Sequence, residues 1–220
     1  LPALSTQEKP SPRPAKRARQ KRAEETREQL LASATELFSS LGFEGVSVRT
    51  IETHADVQRG LAAYHFDTKE ELWRQVVDCL FAQLFERNER TAEIIRDLPP
   101  EERQYAFVST FVRFSAEVPA LNRLMVQEGK ARSWRMDYIV DTHVRKAVDQ
   151  ARTLLGIEIE PHGYYVLVGS GAFVFSMEHE CERLFGVNPC SEDFIRDHAR
   201  MVTALLKGMR SEGSRQNGKK

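Results

Sequence analysis

The 220-residue sequence predicts an all-α protein, with a small trihelical unit at the N-terminus joined through a long helix to a larger helical body. Three observations carry this. Apolar residues recur at three- and four-residue intervals in nearly every segment between breaks. The breaks themselves are helix punctuation, with Ser, Thr or Pro where helices would start and Gly where they would end. No segment shows the two-residue alternation of a half-buried strand.

A hydrophobic content of 41% is enough for a core. The 32 Lys and Arg balance the 32 Asp and Glu, so net charge points to no polyanionic partner and the distribution of charge matters instead. That distribution is uneven: residues 1–22 hold Lys9, Arg13, Lys16, Arg17, Arg19, Lys21 and Arg22 against Glu8 alone, with four prolines and no apolar period. This composition predicts a flexible basic arm over residues 1–22. Cys79, Cys181 and Cys190 are odd in number and widely spaced, and no apolar run is long enough for a signal or a membrane span. A reducing, cytoplasmic setting is the expectation.

After the arm, EETREQLLASATELFSSLGFEG sets Leu30, Leu31, Ala34, Leu37, Phe38 and Leu41 on one helical face, and Gly42 suits a C-terminal cap. SVRTIETHA predicts a short second helix with Ser47 at its N-cap, and QRGLAAYHF a short third. Only ADV lies between them, room for a tight turn. Helices this short do not hold together alone in water, because nucleation is costly and each buries little surface. Both must pack on the first helix and on the element next in the chain. Thr68-Lys69-Glu70-Glu71 has capping-box spacing and opens a long helix, in which Leu72, Val76, Val77, Leu80, Phe81, Leu84 and Phe85 keep period to about residue 95.

DLPPEE then breaks the chain, and Pro100 with two acids behind it opens another helix. Further helices are predicted through RQYAFVSTFVRFSAE, from Pro119 through ALNRLMVQEGK, and as one run from about Trp134 to Leu155. Pro161 opens a largely apolar helix that continues through MEHECERLF to a cap at Gly186. Ser191 opens the last, with Phe194, Ile195, His198, Met201, Val202, Leu205 and Leu206 in period, and residues 211–220 predict a disordered tail.

Two short helices joined by a tight turn, behind a stabilising helix and a basic arm, have the layout of a helix-turn-helix DNA-binding unit. Arg49 lies near the start of the second helix and Gln58 and Arg59 at the start of the third, positions from which side chains reach phosphates or base edges. Gly60, Ala62 and Ala63 keep the third helix low enough for close approach. Arg17 or Arg19, on the arm, could reach a minor groove.

Over residues 26–77 the chain resembles the DNA-binding domain of the TetR family of bacterial transcriptional regulators. The marks are the end of the first helix in LGFEG, SVRTI opening the second, and the Tyr-His-Phe-x-x-Lys-Glu-x-Leu run from Tyr64 to Leu72. The resemblance implies that Tyr64, His65 and Lys69 touch the DNA backbone, that Phe66 packs inward, and that helix-terminal amides near Ser47 hold a phosphate. It also implies an effector pocket in the body, for which Phe107, Phe111, Phe114, Trp134 and Tyr138 are candidates with Arg113 and Glu128 as polar groups. The last two long helices would form a dimer interface, with Gly169, Gly171, Ala172, Phe175, Met201 and Leu205 as candidates. A dimer calls for a palindromic operator.

The chain departs from the family pattern at three places. Glu52 stands where relatives commonly have a small residue, usually alanine; Asp56 stands where the turn commonly has glycine; and Ala63 stands where a tyrosine is common. Aspartate is among the more tolerant residues in a left-handed conformation, whereas Glu52 has no such explanation in the sequence.

Two other motifs carry less. Glu178, His179, Cys181 and Glu182 lack H-E-x-x-H or C-x-x-C spacing, so no metal is expected. VGSGAF, residues 168–173, matches no phosphate or nucleophile loop and follows no strand, so its small residues predict close helix packing. The chain is thus expected to divide into a basic arm (1–22), a helix-turn-helix domain (23–67), a helical effector-binding and dimerisation domain (68–210) and a tail (211–220). The expected function is DNA-binding transcriptional regulation, as a repressor released by a small molecule, with no cofactor, enzymatic activity or membrane partner. The alternative is an architectural or division-related DNA-binding protein of the same fold without an effector.

Overall fold

A computed structural model of the chain describes residues 14–217, with side chains from 17 to 209. Helix α1 (Pro14–Leu41) begins inside the segment expected to be a flexible arm. Residues 14–29 are rich in Ala, Lys, Arg, Gln and Glu, all strong helix formers, and Lys21 pairs with Glu25 one turn on at 3.6 Å. The arm is therefore helical from Pro14, and Arg17 and Arg19 project from a helix rather than from an extended strand of chain. Residues 1–13, with Lys9 and Arg13, lie outside the described residues.

The short helices agree closely with the sequence. In α2 (Val48–His54) the Ser47 hydroxyl accepts from the Thr50 N–H at 3.0 Å. Helix α3 is Leu61–Phe66, so Gln58 and Arg59 lie in the turn before it. Helix α4 (Lys69–Ile95) starts with Thr68 Oγ1 accepting from the Glu71 N–H at 3.1 Å. Only half of the capping box forms: Thr68 donates its own N–H to the Phe66 carbonyl, and Glu71 accepts from Gln75 Nε2 at 3.0 Å. Thr68→Ala should cost about 1 kcal/mol, the loss of one N-cap, read as a lower midpoint in a denaturant melt.

The body comprises α5 (Pro100–Glu117), α6 (Pro119–Glu128), α7 (Trp134–Ile139), α8 (Arg145–Leu155), α9 (Pro161–Ser176), α10 (Glu178–Phe185) and α11 (Glu192–Asn217). Two expected continuous helices are interrupted. A π-helical turn, Val140–Val144, separates α7 from α8 and turns His143 flat against the Phe81 ring, centroids 4.6 Å apart. The run from Pro161 to Gly186 breaks at Met177 (φ −113°, ψ 31°): the apolar packing of α9 ends at Phe175, and α10 takes its own register with Cys181 inward. Helix α11 continues to Asn217, so the expected tail is helical up to that point and residues 218–220 lie outside the described residues.

One apolar core runs from Leu30, Phe38, Ile51 and Phe66 in the N-terminal helices, through Trp73, Val77 and Phe81 of α4, to Phe114, Leu124 and Ile139 of the body. A second joins Val108 and Val112 of α5 to Phe175 of α9 and Ile195, Ala199 and Val202 of α11. The helix-turn-helix unit is thus packed into the body and not tethered to it. Gln127 Nε2 of α6 donates to the Ser40 carbonyl at 3.1 Å, and Arg135 reaches Glu44 at 3.0 Å across the same junction. No helix among the described residues is long and apolar enough to cross a membrane.

Candidate nucleic-acid interface and ligand cavity

The start of α3 is held by a side chain from α2. Gly60, at its N-cap, has φ 92° and no side chain to offer the first orphan amides. Glu52 does it instead: its carboxylate oxygen Oε1 accepts from the Gly60 N–H at 2.8 Å and the Ala62 N–H at 3.0 Å, and the residue is 5% exposed. A carboxylate there also meets the positive end of the short helix. Between the two helices Asp56 takes φ 52°, the left-handed conformation expected of the turn. Glu52 and Asp56 therefore fix the angle and the register at which α3 is presented.

At the other end of α3 the chain turns within one residue. Asp67 has φ 51° and ψ −57°, and with the Phe66 carbonyl accepting from the Thr68 N–H it forms a tight γ-turn. Phe66 is buried, while Tyr64 is 71% exposed and packs edge-on to the half-buried His65, centroids 5.1 Å apart. Arg27 covers the Phe66 ring from α1 at 5.5 Å. The turn brings the first residue of α4 next to α3, and Val48, Ala63, Thr68 and Lys69 enclose a recess of about 40 Å3. Lys69 is half-buried, its ammonium resting on the face of Phe43 at 4.0 Å.

Ser47, Arg49, Gln58, Arg59 and Gly60 are exposed, and neither Arg49 nor Arg59 has an ion-pair partner among the described residues. Other arginines behave differently: Arg113 is paired with Glu192 through two 2.7 Å bonds, and Arg135 with the buried Glu128 at 2.7 Å.

The body holds a cavity of about 700 Å3, open to solvent on one side and bounded by α4, α5, α6, α8, α9 and α11. Phe107, Phe111 and Phe114 line it. Trp134, Tyr138, Arg113 and Glu128 do not. Trp134 and Tyr138 pack on Trp73 and beneath Arg74, at the junction with the helix-turn-helix unit, because α7 crosses α4 near its start. Burial, and then its hydrogen bond to Asp78 at 2.7 Å, push the Tyr138 phenol up to about 12. Arg113 and Glu128 are taken by their ion pairs. Sequence reasoning missed Asn88, Gln104 and Tyr164, polar residues on the cavity wall among apolar neighbours.

Residues 30–76 match the profile of the bacterial regulatory proteins of the tetR family. Residues 30–76 therefore form a DNA-binding domain of the tetR type. The HTH-type transcriptional regulator CymR of Pseudomonas putida is 33% identical over 75 residues, 34% of this chain and 37% of that one. The HTH-type transcriptional repressor NicS, also of P. putida, is 29% identical over 94 residues, 43% of each chain. The matched segments thus span about two-fifths of these relatives' lengths. The transcriptional regulator FadR of Bacillus subtilis, solved in complex with stearoyl-CoA, shares the fold at a TM-score of 0.58 and 15% identity, covering 81% of this chain and 96% of that one.

In the fold of this chain the expected dimer residues divide. Gly171, Ala172 and Phe175 are buried within the subunit, because α9 packs against α5, α6 and α11. A Cβ on Gly171 would come within 3.0 Å of the Phe111 ring, so the glycine serves internal packing. Gly169, Met201 and Leu205 are exposed, and Tyr165 and Phe173 flank Gly169 at four-residue spacing along α9. His179 of the acidic cluster is wholly exposed and approaches Glu182 at 4.0 Å, while Cys181 is buried, so the four side chains do not meet at one point; among the described residues no three His, Cys, Asp or Glu side chains are placed to hold a metal.

Proposed function

We propose that this chain is a tetR-family transcriptional repressor that binds a palindromic DNA operator as a homodimer and is released by a small molecule held in the 700 Å3 cavity. The observation that carries the reading is the pair of exposed, unpaired arginines, Arg49 and Arg59, flanking the turn of a unit whose third helix is capped by Glu52. Uncompensated guanidinium groups at that position suit base edges and phosphates. Tyr64, His65 and Lys69 would meet the backbone, Lys69 by reaching out from the Phe43 ring. The exposed residues of α9 and α11, Tyr165, Gly169, Phe173, Met201 and Leu205, form the proposed dimer surface.

Coupling arises from shared helices. Helix α4 carries Lys69 at its start and Phe81, Leu84 and Asn88 on the cavity wall, and α6 lines the cavity while packing on α1. A ligand releases DNA only to the extent that it binds the DNA-incompetent arrangement better. An effectorless architectural protein would have no use for a cavity of this size, which favours the regulator.

Equilibrium binding to operator variants across a salt series tests the residue roles. Lys69→Ala should weaken binding to every duplex and reduce the log–log salt slope by about 1, whereas Arg59→Ala should lose about 1–3 kcal/mol and relax specificity at one position of each half-site. Equal losses at all operator variants for both proteins would overturn that division.

A further inference from the structure

The buried wall of the cavity holds no charge. Among the described residues no Lys or Arg lines it, and its ionisable groups other than Tyr164 are Glu158, Glu160 and His162, all exposed. Glu158 is moreover paired with Arg152 at 3.5 Å. Burial pushes the Tyr164 phenol up, so it too stays neutral. The rest of the wall is aliphatic and aromatic, apart from a few amides and one hydroxyl.

These polar groups are unequal. Asn88 donates to Gln150 at 3.2 Å, Asn122 donates to Ser176, and Ser115 donates to the Phe111 carbonyl at 2.9 Å. Gln104 is different: it is 7% exposed, lines the cavity, and its amide has no hydrogen-bond partner among the described residues. Its donor pair and its acceptor open onto the cavity and are not sealed within the protein, so a ligand that displaces water from them loses affinity unless it replaces those hydrogen bonds.

We infer that the cavity takes an uncharged lipophile whose one polar head, a carboxamide or hydroxyl, exchanges hydrogen bonds with Gln104. This rests on the reading of the cavity as an effector site and narrows it. An anion finds no cation on the wall, and a carboxylate or phosphate taken from water into such surroundings loses hydration with nothing in return. A cation fares no better, since the carboxylates stand at the exposed rim. The ligand class therefore differs from that of the fold neighbour solved with stearoyl-CoA, whose ligand carries phosphates.

Displacement of the apolar dye N-phenyl-1-naphthylamine from the purified chain at pH 8 tests this, using dodecanamide, dodecanoate, dodecyltrimethylammonium and lauroyl-CoA below their aggregation thresholds. Dodecanamide should bind about thirtyfold or more tighter than each charged probe. Gln104→Leu should weaken dodecanamide by roughly three- to tenfold, while dye affinity, which reports the intact cavity, stays unchanged. A charged probe that displaces the dye as well as the amide, no displacement by the amide, or an unaltered amide affinity in Gln104→Leu would each overturn the proposal. No DNA enters the assay, so operator binding stands or falls separately.

Discussion

Glu52→Ala is expected to destabilise the protein by about 2–3 kcal/mol and to lower DNA affinity at least about tenfold at temperatures where the body remains folded. Alanine is the residue that the resemblance to tetR regulators would recommend at this position, yet here it should be harmful. The reason is Gly60. With no side chain at the N-cap of α3, the Gly60 and Ala62 amides depend on the Glu52 carboxylate, and truncation leaves both donors unsatisfied beside a new void. Glu52→Gln keeps an acceptor at the same place and should lose about half as much. Thermal melts of the three proteins, with anisotropy titrations on one operator, give both numbers. Equal melting of the alanine variant and the parent would mean that the carboxylate does not hold α3.

Arg135→Met should cost more, about 3–5 kcal/mol, because it leaves Glu128 charged, buried and alone. Glu128 is 4% exposed, and the Arg135 Nε donates to it at 2.7 Å while the guanidinium lies over Phe43 at 4.5 Å and reaches Glu44 at 3.0 Å. In a chain of this size that loss lowers the melting temperature by on the order of 10 °C. Adding Glu128→Leu should restore most of it, since a buried pair costs desolvation that apolar packing does not. Calorimetry of the single and double variants decides: a double variant as unstable as the single would mean that Arg135 acts through the Phe43 and Glu44 contacts instead.

Local punctuation was legible in the sequence. Ser47 and Thr68 cap their helices, Pro100, Pro119 and Pro161 open theirs, and Gly42 and Gly186 take the positive φ of a helix end. Asp56 occupies the left-handed turn position. What stayed hidden depends on which helices meet. Apolar period marks a face as buried and is silent about its partner, so Phe107, Phe111 and Phe114 fell on the cavity while Trp134 and Tyr138 fell on the junction with Trp73. For the same reason Gly171, Ala172 and Phe175 face α5 and α11 within the subunit. The role of Glu52 required the approach of α2 to α3, although a glycine N-cap without a polar side chain was a signal that another residue must supply the acceptor. The basic composition and prolines of residues 1–22 suggest a flexible arm, but residues 15–22 are Ala, Lys, Arg and Gln, whose helix propensity carries α1 back to Pro14.

DNA reading by the short helices is measured most directly by selecting duplexes from a random pool. The full chain should enrich an inverted repeat, and Arg59→Ala should enrich a pool with one position of each half-site relaxed. A pool left unenriched by the parent protein, or the same motif recovered with equal strength by Arg49→Ala, Arg59→Ala and Tyr64→Ala, would contradict a DNA-reading role for these helices.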